Sequence, residues 1–246
     1  MELYKNKISI LMPCYNEGDR IYENLIKACE TFKKLGFLFE ILAINDGSSD
    51  NTGDEIARAA FSHTEIKLTE NIFNQGKGHA LKKGFANSSG DIIIFLDGDL
   101  EIDPSQVGKL LKAMEDSGVE VVVGSKRHKE STVKYPLVRV ILSTGYFFIV
   151  KILFNLSIKD TQAGIKAYKR EVLAEIFPKI LCKKYAFDVE ILANAVNKGY
   201  KILEVPIQII FSRNNPFGRI KLSDITNIFK DTAAIWYRIK IKHYYD

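Results

Sequence analysis

The sequence predicts an α/β fold with a mostly parallel central sheet and helices on both faces. Two observations carry this expectation. Apolar, strand-like runs alternate with helical patterns from Ile8 to about Val123, and polar clusters fall at 13–20, 46–50 and 97–103, where three of those runs end. Alternation of this kind builds parallel strands joined by crossover helices, and ligands then bind beyond the carboxyl ends of the strands. With 246 residues, 46% of them hydrophobic, the chain can bury one large core, so a single domain over 1–246 is expected.

Residues 7–13 read as a buried strand, followed by a polar turn and a helix whose apolar face is Ile21, Leu25, Ala28, Phe32 and Leu35. A second strand covers 39–45 and ends at Asp46-Gly-Ser-Ser-Asp50. Asp50 or Asn51 is placed to cap the next helix, which carries Ile56, Ala60 and Phe61. Further strands are expected at 65–69, 91–96 and 119–123, with helices starting near Lys77 and Pro104.

After Tyr135 the pattern changes. Residues 136–156 are apolar, yet Arg139 and Lys151 leave only eleven uncharged residues between them, whereas a membrane span needs about 20. Wound as a helix, Arg139, Ser143, Thr144, Lys151 and Asn155 share about half the circumference. This predicts an amphipathic interfacial helix, with an ordinary buried helix as the alternative. A second such helix is expected near 222–242, where Leu222, Ile225, Ile228, Phe229, Ile235, Trp236 and Ile239 form one apolar stripe. Trp236, Tyr237, Arg238, Lys240 and Lys242 crowd its end, a mixture that suits a headgroup region or a plain docking helix.

Composition narrows the classes of function. A net charge of +5 without a basic block gives no nucleic-acid signature and is compatible with an anionic partner. Cys14, Cys29 and Cys182 show no CxxC spacing and are odd in number, which argues against a disulfide framework or a zinc site and for a reducing, cytoplasmic setting. The start of the chain leads directly into a core strand, so no cleavable signal is expected. The four histidines are scattered and carry no metal-ligand spacing.

Neither a GxxxxGK[ST] loop nor a GxGxxG fingerprint occurs, so the backbone cradles of ATPases and dinucleotide enzymes are missing. Asp97-Gly-Asp99 stands where the apolar run 91–96 ends. On a continuing strand the two carboxylates leave the same face and can grip one divalent cation beside a diphosphate, although surface turns use the same residues.

Four blocks, Pro13-Cys-Tyr-Asn-Glu17, Asn45-Asp-Gly-Ser-Ser-Asp-Asn-Thr52, Asn74-Gln-Gly-Lys-Gly-His-Ala80 and Asp97-Gly-Asp-Leu-Glu101, together resemble the family 2 inverting glycosyltransferases of GT-A fold. Gly124-Ser-Lys-Arg127, Asp160-Thr-Gln-Ala-Gly-Ile-Lys166, Phe187-Asp-Val-Glu190 and Glu204-Val-Pro206 extend the resemblance to the polyprenyl-phosphate branch, the dolichyl-phosphate glucose and mannose synthases. The resemblance implies that Pro13, Tyr15, Glu17, Asp46, Lys77 and Asp97 contact the nucleotide, Lys77 having helix capping as its alternative. It also implies Mg²⁺ or Mn²⁺ on Asp97, Asp99 and Glu101, the last standing where relatives often carry Gln. Asp160 and Gln162 would lie beside the sugar, Asp160 either bonding its hydroxyls or orienting the reactive groups, with turn formation as the alternative for Asp160. Asp188 and Glu190 would reach the cleft or cap a helix.

The acceptor implied is a polyprenyl phosphate at a membrane surface, its phosphate met by Arg127, Arg139, Ser143, Arg213 and Lys221, with Lys126 an alternative to Arg127. Asp99, Asp160 and Arg139 form the implied catalytic set. Arg213 and Lys221 fall in a loop longer than the relatives' usual spacing, with Ile220 where Ser is common. A phosphate monoester has its second pKa near 6, so its oxygen is anionic at neutral pH and needs no strong base to attack a sugar. UDP-glucose is the first donor expected, ahead of UDP-N-acetylglucosamine and GDP-mannose. Transfer to a soluble glycan or protein, or a non-catalytic nucleotide-sugar-binding subunit, are the alternatives, and no oligomeric state is implied.

Overall fold

A computed structural model describes residues 6–133, 137–209 and 222–246, and the side chains of 133–142 and 222–225 lie outside the description. The elements run β1 (Ile8–Cys14), α1 (Ile21–Lys34), β2 (Phe39–Asp46), α2 (Thr52–Ser62), β3 (Ile66–Asn71), α3 (Lys77–Ala86), β4 (Ile92–Leu96) and α4 (Val107–Ser117). They continue with β5 (Val121–Ser125), β6 (Thr132–Val133), α5 (Leu137–Phe154), β7 (Ile165–Lys169), α6 (Arg170–Ile176), α7 (Phe187–Asn197), β8 (Ile202–Pro206), β9 (Gln208–Ile209) and α8 (Leu222–Lys240).

The main sheet has the order β3-β2-β1-β4-β7-β5-β8. It is parallel except at β7, which runs antiparallel to both β4 and β5. Strands β1, β2 and β4 are apolar on both faces because helices cover both, as a parallel sheet requires. One core layer joins Ile10, Met12, Ile41, Ile94 and Ile165 to α1, α2 and α4. The other joins Leu11, Ile44, Phe95 and Tyr168 to α3, α6, α7 and the buried stripe of α8. β6 and β9 form a separate two-stranded parallel sheet, and Ile102 bridges to Ile209.

Two expectations change here. The expected strand at 119–123 begins at Val121 and runs to Ser125, and β7, with its two lysines, falls in a stretch without an apolar run. β4 ends at Leu96, so Asp97 and Asp99 do not continue the strand. The chain turns at Gly98, Leu100 adopts a left-handed conformation (φ 48°), and the Glu101 N–H donates to Asp99 Oδ1 at 3.2 Å.

The two amphipathic helices lay part of their surface on the core. In α5, Val150 and Phe154 are buried while Phe148 and Ile152 (79% exposed) face out; in α8, Ile235 and Ile239 are buried while Phe229 and Tyr237 face out. The Tyr146 hydroxyl and Thr232 Oγ1, 3.0 Å apart, join the two helices. Arg238, expected among headgroup-facing cations, instead turns inward to Glu190 at 3.2 Å. Among the described residues no helix is long and apolar enough to cross a membrane.

Candidate active site

At the carboxyl ends of the strands the structure assembles a small acidic cavity of about 90 Å³. Its walls include Asp97, Asp99, Glu101, Lys126, Gln162 and Gly164. The acids come from the turn after β4, Lys126 from the exit of β5, and Gln162 from the approach to β7. Because β7 is antiparallel, its approach lies at the same end of the sheet as the exits of its neighbours.

The second and third polar clusters meet through one loop. Asp46 is buried at the end of β2, and its carboxylate accepts from Asn71 Nδ2 (2.7 Å), Gln75 N (3.0 Å) and Gly76 N (2.8 Å). Gly76 has φ 97°, and a Cβ there would stand 2.5 Å from the Lys183 carbonyl, so the loop requires glycine. Asp46 thus fixes the start of α3, whose first residue, Lys77, places its ammonium 2.7 Å from Asp97 Oδ1. Burial opposes that charge, but Asp97, Asp188 and Asp99 outweigh it and hold the Lys77 pKa above its ordinary value.

Pro13 is the penultimate residue of β1, and Tyr15 stands exposed just beyond it. Glu17 is buried, its backbone N–H donating to Thr52 Oγ1 at 2.8 Å and its carboxylate 3.4 Å from Arg20 Nε. Asp19 raises the Arg20 pKa most strongly among the carboxylates, with Glu17 and then Asp99 adding to it. These first-cluster residues do not line the acidic cavity; they flank it, since Asn24 of α1 donates to the Gly98 carbonyl at 2.8 Å.

Asp160 is placed differently from a group that touches substrate. It is buried and does not line the cavity. One oxygen accepts from Lys126 N at 2.9 Å and lies 3.3 Å from the Lys126 ammonium; the other accepts from Gln162 N at 2.9 Å. Burial alone would raise its pKa, yet Lys126 and these N–H donors hold the carboxyl below its ordinary value. Asp160 therefore orients the two residues that do face the cavity, and Gln162 Nε2 is buried there without a hydrogen-bond partner. Glu204 in turn accepts from the Lys159 and Asp160 N–H groups at 2.8 and 2.9 Å.

Lys126 and Arg127 diverge. While Lys126 faces the acids, Arg127 extends to α5, donating to Ser143 Oγ at 3.0 Å and to Thr144 Oγ1 at 3.2 Å from one amino group, beside the Phe147 ring. Arg139 lies one turn before Ser143 on α5, with its side chain outside the described residues, as are Arg213 and Lys221 altogether. Asp188 and Glu190 neither reach the cavity nor cap α7. Asp188 pairs with Lys166, and Glu190 accepts from Leu181 N (3.1 Å), Cys182 N (2.7 Å) and the Tyr245 hydroxyl.

Asp97, Asp99 and Glu101 offer hard oxygen donors of the kind Mg²⁺ and Mn²⁺ prefer. Among the described residues no three His, Cys, Asp or Glu side chains converge on one point. The three acids expected to share one cation therefore line the cavity together without converging on a single point.

The sequence pattern of glycosyl transferase family 2 matches residues 9–177, which hold every charged wall of the acidic cavity and Arg127. The chain belongs to glycosyl transferase family 2. This family 2 enzyme is similar to the dolichyl-phosphate β-glucosyltransferase ALG5C of Trichomonas vaginalis, 32% identical over 246 residues that cover 94% of this chain and 71% of the relative. It is also similar to the dolichyl-phosphate β-glucosyltransferase of Saccharomyces cerevisiae, 34% identical over 219 residues, covering 81% of this chain and 66% of the relative. Among solved structures, mannosyl-3-phosphoglycerate synthase from Rubrobacter xylanophilus superposes with a TM-score of 0.73 at 18% identity, over 96% of this chain and 75% of that one. Glucosyl-3-phosphoglycerate synthase from Mycobacterium tuberculosis, solved with Mn²⁺, UDP-glucose and phosphoglyceric acid, superposes at 0.69 and 18% identity, over 95% and 79%. These likenesses establish the GT-A fold for this glycosyltransferase.

Two contributors escaped the sequence reading. Lys166 and Glu204 lie inside quoted motifs, but nothing local marks them as supports. The one available signal is that Lys166 interrupts an otherwise apolar stretch between Ile165 and Ala167.

Proposed function

We propose that this family 2 glycosyltransferase moves glucose from UDP-glucose to a polyprenyl phosphate with inversion. The observation that carries the reading is the divergence of Lys126 and Arg127. Successive cations serve two sides of one site, one beside the acidic cavity and one on the hydroxyls of α5, as a reaction between two anionic substrates requires. The shared name of the relatives supplies the sugar and the lipid.

Asp97 and Asp99, with Glu101 as a further oxygen donor, would hold Mg²⁺ or Mn²⁺, which would neutralise the leaving diphosphate. Gln162, its amide nitrogen without a partner, is placed to donate to a sugar hydroxyl, and Asp160 keeps it in place. Arg127 and Ser143, with Arg139, Arg213 and Lys221, form the acceptor-phosphate set. The phosphate oxygen attacks the anomeric carbon as the bond from that carbon to the UDP oxygen breaks, which inverts the centre. Both substrates are already ionised, so the chain's task is to align and charge-balance them. The exposed Phe148 and Ile152 on α5, beside the acceptor side, support a peripheral seat on a membrane surface, and the odd cysteine count favours its cytoplasmic face.

The test is transfer by the purified protein, with Mn²⁺ and a short polyprenyl phosphate in detergent, from labelled UDP-glucose, UDP-N-acetylglucosamine and GDP-mannose. Glucosyl-phosphoryl-polyprenol as the main product is expected. Preferred transfer from another donor, or to water-soluble glycans alone, would overturn the assignment.

A further inference from the structure

Behind the acidic cavity lies an ion pair that contributes no wall to it. Lys166 of β7 is 1% exposed and Asp188, in the first turn of α7, is 5% exposed. The Lys166 ammonium donates to Asp188 Oδ1 at 2.6 Å and to the Ala163 carbonyl at 2.7 Å. Withdrawing two such charges from water costs several kcal/mol each, and apolar residues of similar volume often serve stability as well or better. Burial pushes the Lys166 pKa down even with Asp188 in contact. Stability alone is a poor reason to keep this pair.

Its contacts supply a better one. Ala163, held by Lys166, precedes Gly164, and the Gly164 carbonyl accepts the Asp97 N–H at 3.2 Å. The approach is so close that a Cβ on Gly164 would stand 2.3 Å from Asp97 Oδ2. Any shift of the 163–164 backbone is therefore transmitted to the Asp97 carboxylate.

We infer that Lys166 and Asp188 are positioning residues for the donor site, setting the Ala163–Gly164 backbone against Asp97. Neither residue touches substrate. Lys166 fixes the wall on which Asp97 rests, and Asp188 holds the Lys166 ammonium in place. The inference rests on the reading of this cavity as the nucleotide-sugar site.

The experiment compares wild type with Asp188→Asn, the double variant Lys166→Met/Asp188→Leu, and Gly164→Ala. The double variant replaces the pair by apolar side chains of similar volume, so it should melt near the wild-type temperature. Its donor KM should nevertheless rise about tenfold, with acceptor KM unchanged, which a merely structural pair would not cause. Asp188→Asn should show the same split. Gly164→Ala leaves the pair intact and presses on Asp97 directly, and it should raise donor KM in the same way. A folded double variant with wild-type donor KM, or an unchanged donor KM in Gly164→Ala, overturns the inference.

Kinetics are run on whichever nucleotide sugar the wild type accepts, so a donor other than UDP-glucose overturns the glucose assignment and leaves this comparison standing. Amide hydrogen exchange at Asp97 and Gly164 needs no substrate. Faster exchange in the double variant is expected there, and equal rates would overturn the positioning role even in a protein that accepts no nucleotide sugar.

Discussion

Glu40 and Asp97 are acids near opposite ends of neighbouring parts of one sheet, and the fold treats them in opposite ways. Glu40, near the start of β2, has a side chain only 3% exposed and accepts from Ser9 Oγ (2.7 Å), Ser89 N (2.7 Å), Ser89 Oγ (2.9 Å) and Lys67 Nζ (2.6 Å). Burial alone would raise its pKa, but these donors lower it to about 2. Asp97, just past β4, is 40% exposed, pairs with Lys77 and opens on a cavity. A carboxylate surrounded by donors is a rivet between strands. One that keeps an open side at the carboxyl ends of parallel strands is available for chemistry.

The comparison breaks most decisively at Asp99, which shares the cavity with Asp97. Asp99→Ala should lower transfer about 1,000-fold, the scale of losing a principal electrostatic contact, with the melting temperature within about 2 °C of wild type. Steady-state kinetics with calorimetry checks it, and retention of full activity would remove the acid site. Glu40→Gln should do the reverse. It should cost about 3 kcal/mol of stability at neutral pH, judged from the depth of the pKa shift, and leave turnover per folded molecule unchanged.

The same acid predicts a pH dependence. Its folded pKa lies below the unfolded value of 4.5, so its contribution is complete above that pH and is lost as pH falls from 4.5 towards about 2. Urea titrations across this window should show wild-type stability falling more steeply than that of Glu40→Gln, and parallel curves would disprove the assignment. The smallest effect is expected at Arg127, whose guanidinium faces α5. Arg127→Ala should raise acceptor KM about tenfold, about 1.4 kcal/mol, with donor KM unchanged, and a changed donor KM would place Arg127 on the wrong side of the site.

The two halves of the molecule also differ in how far sequence announces structure. β4 is a continuous apolar run and β1 and β2 are nearly so, broken early by Ser9 and Glu40, because their partners are other apolar strands and covering helices, and such runs are legible in the sequence. β7 is not, because Lys166 is compatible with burial only through Asp188, which reaches it from a helix 22 residues further on. Arg238 departs from its sequence pattern for the same reason. On its own helix it belongs with Lys240 and Lys242, and only the approach of α7 with Glu190 turns it inward.

At the site, the acids were legible from Asp97-Gly-Asp99 standing at the end of an apolar run, whereas Arg127 and Ser143 were marked only by the family resemblance. The turn that carries the acids off the strand, with Leu100 left-handed, was not legible. Nor were the partners of Asp160. The type of residue was visible, but its work depends on Lys126 and Glu204, which come from β5 and β8.

The reversed direction of β7 has a consequence for how such enzymes diversify. The turn after β4 delivers its acids on the way out of the sheet, whereas the connection from α5 delivers Gln162 on the way in. Residues 155–163 are nevertheless not a free tether, because Leu156 and Ile158 are buried, Glu204 of β8 accepts from the Lys159 and Asp160 N–H groups, and the Ala163 carbonyl accepts from Lys166. Change beside the cavity is then easiest at Gln162 itself, between anchors that must stay.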